Sequence, residues 1–376
     1  MTQSMQSELV TAPVVPWVAM ALLASALAHT YLWLRLVREP ARPRALALGL
    51  VALALIVPSG MLGLLYMRVL PRALARPLMT GAFTYVGALC FLLAVLLGLD
   101  ILTRVGLRMH ARRKASLALV AAAILSTVAI AQALRTPRIH EQRVQLATLP
   151  AGLVGYRIMQ LSDLHIGPTL GLDFVDALVT ATNAQHPDLV VITGDLVDGS
   201  VHELAPLLRP LRALAARDGV FLVLGNHEYL SGAEEWAAFL PSLRIRVLRN
   251  ECVPISAALE LVGLDDASKT RDGRVPADLA RAYADHDASR FTIALVHEPT
   301  FVAQVKERGA ALQLSGHTHG GQVFPVHFLE LLDQGYLEGL YRVGATVLHV
   351  SPGAGFWGPP MRLGSRSELS LLVLSR

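Results

Sequence analysis

The chain shows two different patterns of apolar residues, and the pattern changes near its middle. Up to about residue 134 it contains four long, nearly uncharged apolar stretches, each close to the roughly 20 residues that a bilayer-spanning helix needs. These stretches run approximately over 14–34, 45–67, 81–99 and 115–134. From Leu153 onward, short β-branched runs alternate with amphipathic segments, a pattern typical of strands alternating with helices. We therefore predict an α/β protein with a four-helix transmembrane region in 1–140 and a second domain in 141–376.

The order of elements in the second half predicts how its strands are arranged. Strands are predicted over 156–162, 188–193 and 219–224, with helices over 171–184 and 203–216 between them. This β-α-β-α-β order usually gives right-handed crossovers and strands that share one sheet. Seven further short strands are predicted, over 246–248, 253–256, 259–264, 291–296, 312–314, 346–350 and 369–374. Two facing sheets flanked by helices suit this order.

Charge is distributed as unevenly as hydrophobicity. Residues 1–135 carry thirteen Lys/Arg and three Asp/Glu, a net charge of +10, whereas the rest of the chain has a net charge of −6. An acidic second half argues against nucleic acid as the main partner, because phosphate backbones are bound through basic surfaces. The basic first half suits connectors that flank membrane spans, and four uncharged runs in succession are rare in soluble proteins. Cys90 and Cys252 cannot build a disulfide framework, so we predict that they are packing residues.

The Lys/Arg residues of the connectors predict which side of the membrane the second half occupies. The first and third connectors hold nine Lys/Arg, against six in the N-terminal tail, the second connector and the stretch after the fourth span. Because cytoplasmic loops carry the excess, the second half is predicted to be extracytoplasmic in an integral membrane protein of the cell membrane. The fourth stretch, preceded by Arg112-Arg113-Lys114 and ending in Ala131-Gln132-Ala133, is either an ordinary span or a cleaved export signal. Both alternatives place residues after 135 on the side of the membrane away from the cytoplasm.

Few polar residues interrupt the predicted spans. The candidates are His29, Ser59, Thr84 and Asp100. Ionisable groups inside a membrane can mark a transport path. Asp100 lies at the end of a stretch and His29 stands alone, so we interpret both as helix-packing or interface residues. The sequence shows no relay of paired charges that would favour a transporter.

Five short polar motifs follow apolar runs of the second half. In chain order they are Asp163-Leu164-His165, Gly194-Asp195, Gly225-Asn226-His227-Glu228, His297 and Gly316-His317-Thr318-His319. Each motif is predicted to lie at the carboxyl end of a strand, where α/β sheets bind ligands. Asp, His and Asn supply the oxygen and nitrogen donors that Mn²⁺, Fe²⁺ and Zn²⁺ accept. Seven or eight such donors are enough for two adjacent ions and too many for one.

The spacing inside the first motif predicts how its side chains point. Asp163 and His165 are two residues apart, so on an extended segment both point to the same side and can share one ion. Leu164 then turns into the core. Glycines beside the motifs permit backbone angles that bring the chain close to the ions.

This order of motifs resembles the calcineurin-like metallophosphoesterases over roughly residues 150–376. The resemblance extends to Gly320-Gly321-Gln322 and to the segment 351–363, as in a membrane-associated branch that includes enzymes similar to UDP-2,3-diacylglucosamine hydrolases. It implies a two-sheet α/β sandwich and two divalent metal ions. The implied ligands are Asp163, His165, Asp195 and His319 for the first ion, and Asp195, Asn226, His297 and His317 for the second. Asp195 would then bridge the two ions, and the loop of His317 and His319 must be curled.

Other residues near the motifs are assigned roles beside this ligand set. His227 is surplus to it, and we predict that it is the catalytic residue that stabilises the transition state or protonates the leaving oxygen. Glu228 and Asp198 are expected to orient ligating histidines, although Asp198 could equally be a solvated loop residue. Five histidines within residues 141–376 match no motif and are interpreted as structural or surface residues: His186, His202, His286, His327 and His349.

The resemblance implies a membrane-anchored phosphoester hydrolase in which a metal-bridging hydroxide attacks phosphorus. The apolar segment 324–341 either contacts lipid or an acyl chain, or merely caps the sandwich, and both alternatives stay open. We expect a lipid-linked or envelope phosphoester as substrate and the bilayer as partner. A non-catalytic membrane receptor that binds a phosphorylated ligand through its metal centre is the first alternative. A transporter with an accessory hydrolase is the second, and the missing charge pairs argue against it.

Overall fold

The computed structural model of the protein describes residues 14–40, 72–167, 169–266 and 277–376. They fall into two compact units, Met1–Val128 and Ala129–Arg376. The predicted stretch 45–67 lies outside the described residues.

Long helices make up the described part of the first unit and lead into the second. They are α1 (Val14–Trp33), α2 (Arg72–Arg104) and α3 (Ala111–Ala133), and α1 continues as a π-helical turn, Leu34–Arg38. Among the described residues, Pro77–Arg104 and Ala111–Ala133 are long and apolar enough to cross a membrane, judged by length and composition. Two candidate spans are thus established, and four spans stay a prediction.

A cluster of charged residues joins the three helices near Asp100. This buried carboxylate accepts hydrogen bonds from Tyr31 Oη at 2.8 Å and Lys114 Nζ at 2.7 Å, and Arg35 forms an ion pair with it at 2.6 Å. Arg35 also pairs with Glu39, so two cations face two anions. The expected absence of charge pairs was therefore wrong, because Arg35 and Lys114 were assigned to connectors. A balanced cluster still suits the helix-packing role expected of Asp100.

His29 is not alone either. Its Nδ1 lies 2.7 Å from the carbonyl oxygen of Ser25, and its Nε2 lies 2.6 Å from Tyr85 Oη. The ring therefore donates to α1 and accepts a hydrogen bond from α2. This contact between two helices agrees with the packing role predicted for His29.

Two six-stranded sheets build the second unit. The first has the order β1-β12-β2-β3-β4-β5 and the second the order β10-β11-β9-β8-β7-β6. The strands of the first sheet are β1 (Arg138–Gln145), β2 (Arg157–Leu161), β3 (Leu189–Thr193), β4 (Val220–Val223), β5 (Arg246–Val247) and β12 (Glu368–Ser375). Those of the second are β6 (Glu251–Pro254), β7 (Leu259–Gly263), β8 (Phe291–Leu295), β9 (Leu312–Ser315), β10 (Gly339–Val343) and β11 (Thr346–Val350). Strands β2 to β5 are mutually parallel, and so are β7, β8 and β9.

Burial on both faces of each sheet gives the α/β sandwich. Along β2, Ile158 packs between the sheets with Leu261 and Ile293, whereas Met159 belongs to the core on the helical side. This alternation, with both faces apolar, is typical of strands covered on both sides. The helices of the unit are α4 (Leu172–Asn183), α5 (Val201–Leu208), α6 (Asn226–Ser231), α7 (Ala233–Phe239), α8 (Leu279–Ala282), α9 (Val302–Val305) and α10 (His327–Gln334). The two-sheet sandwich expected from the sequence is thus confirmed.

Several elements differ from the sequence-based expectation. β1 was not predicted, and the expected domain boundary after residue 140 falls inside it. Its sequence is polar because it is an edge strand, held by its parallel pairing with β12. The segment 324–341, for which the sequence predicts no helix or strand, contains α10 and the beginning of edge strand β10.

The two cysteines are free and partly buried. Cys252 lies on β6, where burial raises the pKa of its thiol to about 12. A thiol with so high a pKa is protonated and unreactive at neutral pH. The interpretation of Cys252 as a packing residue is supported.

Candidate metal centre

The five motifs come together at one edge of the sandwich. Those containing Asp163, Asp195 and Asn226 follow β2, β3 and β4 of the first sheet, whereas His297 and His317 follow β8 and β9 of the second. In each sheet these strands are parallel neighbours, so their carboxyl ends meet. The predicted position of the motifs is therefore confirmed.

One group of donors consists of Asp163, His165 and His319. Their ligand atoms all lie within 4.8 Å of one another. His165 Nε2 is 3.0 Å from His319 Nε2, which is 3.5 Å from Asp163 Oδ1. Two imidazole nitrogens this close can share only one proton, and a cation between them would satisfy both lone pairs.

A second group consists of Asp195, His297 and His317, with Asn226 beside them. His297 Nε2 lies 3.2 Å from Asp195 Oδ2, 3.2 Å from Asn226 Oδ1 and 3.1 Å from His317 Nδ1. His317 Nδ1 is 3.1 Å from the same Asn226 oxygen. The structure thus brings all seven residues of the predicted ligand set together.

In two of the histidines, a hydrogen bond from one ring nitrogen leaves the other ring nitrogen free to bind a metal. His297 Nδ1 donates to the carbonyl oxygen of Thr193 at 2.7 Å, and His165 Nδ1 donates to Asp198 Oδ1 at 2.9 Å. The Nε2 lone pairs therefore point into the space enclosed by the seven predicted ligands, which we call the metal cluster. This is the arrangement by which proteins fix the tautomer of metal-binding histidines, so the residues present fit divalent ions.

Asp198 is engaged by two imidazole rings. Its Oδ1 accepts from His165 Nδ1 at 2.9 Å and from His227 Nδ1 at 2.7 Å. Burial would raise the pKa of the Asp198 carboxyl, but the two rings lower that pKa below its ordinary value. Asp198 therefore orients histidines, and the alternative of a purely solvated loop residue was wrong.

Glu228 is buried and binds backbone rather than histidine. Its carboxylate accepts from the N–H groups of Asp195 at 2.9 Å, Val197 at 3.0 Å and Gly225 at 2.8 Å. Burial, followed by the nearby Asp195 charge, raises the pKa of Glu228 to about 7. The expected role in orienting a ligating histidine was wrong, because Glu228 joins two motif loops through their amides.

His227 lies at the rim of the cluster. Its backbone N–H donates to Asp195 Oδ1 at 2.9 Å, and its ring packs edge-on against His165 and Trp357. His165, Asp195 and His227 also form a third group of neighbouring donor atoms. Because His227 Nδ1 binds Asp198, Nε2 is the ring nitrogen left for another partner.

The loops that carry the donors are strained. Asp163, His165, Asp195, His317 and His319 all have positive φ, between 44° and 73°. Non-glycine residues reach this region at a cost of about 1–2 kcal/mol each, which the surrounding structure must offset. The first motif is therefore not extended as expected, although Leu164 is buried in the core as predicted. The curled backbone at His317 and His319 agrees with the expectation.

Glycine is required where these loops touch. A Cβ on Gly225 would lie 2.3 Å from Asp195 Oδ1, and one on Gly316 would lie 1.9 Å from Ser162 Oγ and 2.3 Å from Asp163 Oδ2. Any side chain would displace a donor. At these two positions glycine is needed for space between neighbouring motif loops, since neither residue has a positive φ.

Arg362 supports the cluster and was not singled out from the sequence. This fully buried guanidinium donates to the carbonyl oxygens of His319 at 3.2 Å, Gly355 at 2.6 Å and Pro352 at 2.9 Å. Burial lowers the pKa of Arg362 to about 10. The only sequence signal was the Gly- and Pro-rich segment around it, because contacts to backbone carbonyls leave no motif.

The five histidines within residues 141–376 that match no motif take no part in the group of predicted ligands. His186 and His202 are exposed, and His286 pairs with Glu260. His327 stacks on Phe324, and His349 is fully buried with its Nδ1 2.7 Å from Gln160 Oε1. Their interpretation as structural or surface residues is supported.

An apolar surface adjoins the cluster. Trp357, whose ring contacts that of His227, is 48% exposed. On α10, Phe328, Leu329 and Leu332 are exposed as well, Leu332 at 83%. The side chain of Gln322 hydrogen-bonds both the N–H and the carbonyl oxygen of Trp357. The chain just before the segment 324–341 is therefore bonded to the residue whose ring contacts His227.

Comparison with known protein families matches residues 156–321 to the calcineurin-like phosphoesterases. An uncharacterized metallophosphoesterase of Helicobacter pylori is 39% identical over 245 residues, which cover 65% of this chain and 65% of that protein. One of Aquifex aeolicus is 36% identical and covers 63% of this chain and 91% of its own length. A transmembrane protein with metallophosphoesterase domain of Bos taurus is 36% identical over 69% of this chain and 62% of its own. The chain thus spans about two thirds of the length of the Helicobacter and Bos taurus relatives.

Proposed function

Since this chain belongs to the calcineurin-like metallophosphoesterase family, we propose that it is a metal-dependent phosphohydrolase with a dinuclear centre. The position of Asp195 carries this proposal. Its Oδ2 lies 3.2 Å from His297 Nε2 and 3.8 Å from His165 Nε2. One carboxylate oxygen thus adjoins both groups of donors, and it can bridge two ions.

The proposed ligands follow from the two groups. Asp163, His165, Asp195 and His319 would bind one ion, and Asp195, Asn226, His297 and His317 the other. Two divalent ions, when bound, draw charge from phosphoryl oxygens and activate water at neutral pH. The donors are imidazole, carboxylate and amide without thiolate, which suits Mn²⁺, Fe²⁺ or Zn²⁺ alike.

His227 is the proposed catalytic residue. Asp198 accepts a hydrogen bond from Nδ1 and orients the ring, so that Nε2 is available to a phosphoester at the rim of the metal cluster. A proton on Nε2 would be donated to the leaving oxygen or hydrogen-bonded to a phosphoryl oxygen. Trp357 packs against the ring and limits its rotation.

The alternative of a non-catalytic receptor has no specific observation in its favour. A receptor would need neither His227 nor the carboxylate that orients it. The geometry of both is complete, with His227 Nδ1 2.7 Å from Asp198 Oδ1. We therefore prefer hydrolysis to binding alone.

We further propose that the first part of the chain is a four-span membrane domain, with the boundary predicted after residue 140 moved to the start of β1. The catalytic domain then begins with β1 and faces away from the cytoplasm. The two candidate spans support membrane anchoring, and relatives named as transmembrane proteins agree with it. The exposed apolar face of α10 and the neighbouring Trp357 support a substrate held at a lipid surface. A lipid-linked or envelope phosphoester is accordingly the proposed substrate.

The test of hydrolysis uses the full chain in neutral detergent with a chromogenic phosphodiester, a phosphomonoester and a nucleotide-lipid pyrophosphate. We expect turnover of at least one substrate with Mn²⁺, abolished by EDTA and restored by added metal. Turnover that survives EDTA would contradict the metal role. Bound metal without turnover of any substrate would support the receptor instead.

A further inference from the structure

A cavity of 430 Å³ lies in the second unit where α3 ends and β1 begins. It is lined by Gln132 of α3, by Arg135 and Arg138 of the connecting segment and β1, and by Arg366 before β12. Residues of the metal cluster do not line it. Nothing in the roles proposed so far uses this cavity.

The lining of the cavity is basic, with three arginines against one glutamate. Arg135, Arg138 and Arg366 are exposed, and no salt bridge to them is found among the described residues. The carboxylate that the lining contains, Glu368, has one oxygen 3.1 Å from His140 Nδ1, and its other oxygen accepts a hydrogen bond from Ser370 Oγ at 2.7 Å. Guanidinium groups stay charged at neutral pH and present several donors in a plane, which matches the geometry of a phosphate.

The position of the cavity indicates what kind of molecule would bring a phosphate group to it. Gln132 belongs to the 23-residue candidate span Ala111–Ala133, and Arg135 follows two residues after its end. Basic residues at this point of a membrane helix lie at the depth of lipid headgroups. We infer that the cavity binds the phosphodiester headgroup of an anionic phospholipid, an inference that rests on the proposed membrane anchoring.

The site would adjoin the metal cluster without containing its ligands. Ser365 lines the cavity and donates to the carbonyl oxygen of His319 at 2.6 Å. The carbonyl oxygen of Arg366 accepts from Arg362 Nη1 at 2.8 Å, and the same nitrogen lies 3.2 Å from the His319 carbonyl. A bound headgroup would therefore contact the segment that supports the loop of His319.

The test measures lipid binding by the full chain in neutral detergent, with EDTA present so that metal-bound phosphate is not counted. Native mass spectrometry reports retention of dioleoyl phosphatidylglycerol and of dioleoyl phosphatidylcholine as each is titrated. We expect the anionic lipid to be retained in preference to the zwitterionic one. The double variant Arg135→Gln/Arg366→Gln should bind phosphatidylglycerol about 100-fold more weakly, roughly tenfold for each guanidinium removed.

A matched control removes the same charge outside the cavity. Arg143→Gln/Arg212→Gln changes two exposed arginines of the same unit and should leave phosphatidylglycerol binding unchanged. Thermal unfolding midpoints show whether each variant folds. Equal loss in both double variants, or no loss in the cavity variant, would overturn the inference.

Inorganic phosphate distinguishes a lipid from a soluble ligand. We expect it to displace phosphatidylglycerol only at far higher concentration, because the membrane holds the headgroup at the cavity. Displacement at equal concentration would overturn the assignment to lipid and make this a site for free phosphate. Release of the chain from membranes by alkaline carbonate would refute the anchoring itself, and hydrolysis of a soluble phosphodiester reports separately on the phosphohydrolase.

Discussion

A single carboxylate oxygen, Asp198 Oδ1, accepts hydrogen bonds from two imidazole rings at the metal cluster. One ring, His165, is a proposed ligand, and the other, His227, is the proposed proton donor. Both rings thereby keep a proton on Nδ1 and turn Nε2 away from Asp198. His165 would bind metal through an unprotonated Nε2, whereas His227 would donate from Nε2 as the imidazolium. At the scale of residues, the proposed metal binding by His165 and the proposed proton donation by His227 thus depend on the same carboxylate.

Replacing His227 separates the two functions. In His227→Gln the metal content should stay at the unsubstituted level, because both four-donor sets are complete without this residue. The turnover number should fall by roughly 10²-fold or more, the usual effect of losing a positioned proton donor. Metal analysis and hydrolysis of a chromogenic phosphodiester check both points, with exposed His202→Gln as control. Loss of metal in proportion to rate would make His227 a ligand.

Replacing Asp198 should act on the ligand His165. Asp198→Asn keeps the size of the side chain but removes the charge that both rings face. Metal affinity should fall by roughly 10–100-fold, as for other partners that hydrogen-bond a ligating histidine. Titration of the metal-free protein with Mn²⁺ measures this, and exposed Asp173→Asn on α4 is the control. An affinity unchanged from the unsubstituted protein would show that Asp198 serves only His227.

At the scale of elements, the sequence predicts the strands buried on both faces and the short edge strands β5 and β6, but it does not predict β1 and β10. β3 of the first sheet and β8 of the second are mostly apolar and fully buried, because each sheet is covered by helices on one face and by the other sheet on the opposite face. β1 and β10 lie at sheet edges and are partly polar, so their hydrogen-bonded partners define them and periodicity does not.

In the metal site as well, some residues can be predicted from the sequence and others cannot. The donors were predictable because metal chemistry restricts the residue types. Glu228 and Arg362 act on backbone amides and carbonyls, which no side-chain motif records.

His349 on β11 makes the stability of the second unit depend on pH. Its ring reaches Gln160 across the two sheets, and burial, followed by the charge of His140, lowers the pKa of His349 to about 3. Because the folded pKa lies below the ordinary value of 6.5, protonation favours the unfolded chain. This residue therefore contributes stability above pH 6.5 that is lost as pH falls toward 3.

The loss between pH 6.5 and 5 should be about 1 kcal/mol per pH unit, or roughly 2–4 °C in Tm. His349→Gln keeps an amide donor for Gln160 and should flatten this part of the curve. Thermal unfolding of the full chain in detergent at several pH values measures the slopes. A curve as steep in His349→Gln as in the exposed control His202→Gln would contradict the assignment.

At the scale of the whole molecule, topology decides which substrates can reach the metal cluster. From the nine-to-six distribution of Lys/Arg among the connectors we expect the catalytic half to lie outside the cytoplasm. A reporter that is active only outside the cytoplasm, attached after Arg376, should therefore give a signal. The same reporter inserted after Gly106, between the two candidate spans, should give none. The opposite pair of results would overturn the topology and make a cytoplasmic nucleotide-lipid substrate more credible.

The number of ions bound through Asp195 tests the central claim most directly. The full chain, loaded with Mn²⁺ and freed of excess metal, should contain about two ions per chain by elemental analysis, because two groups of donors adjoin this one carboxylate. Asp195→Ala should lose most of both ions and its hydrolysis of a phosphodiester, while Asp173→Ala retains both. Two ions and ordinary turnover in Asp195→Ala would contradict a dinuclear centre bridged by this residue.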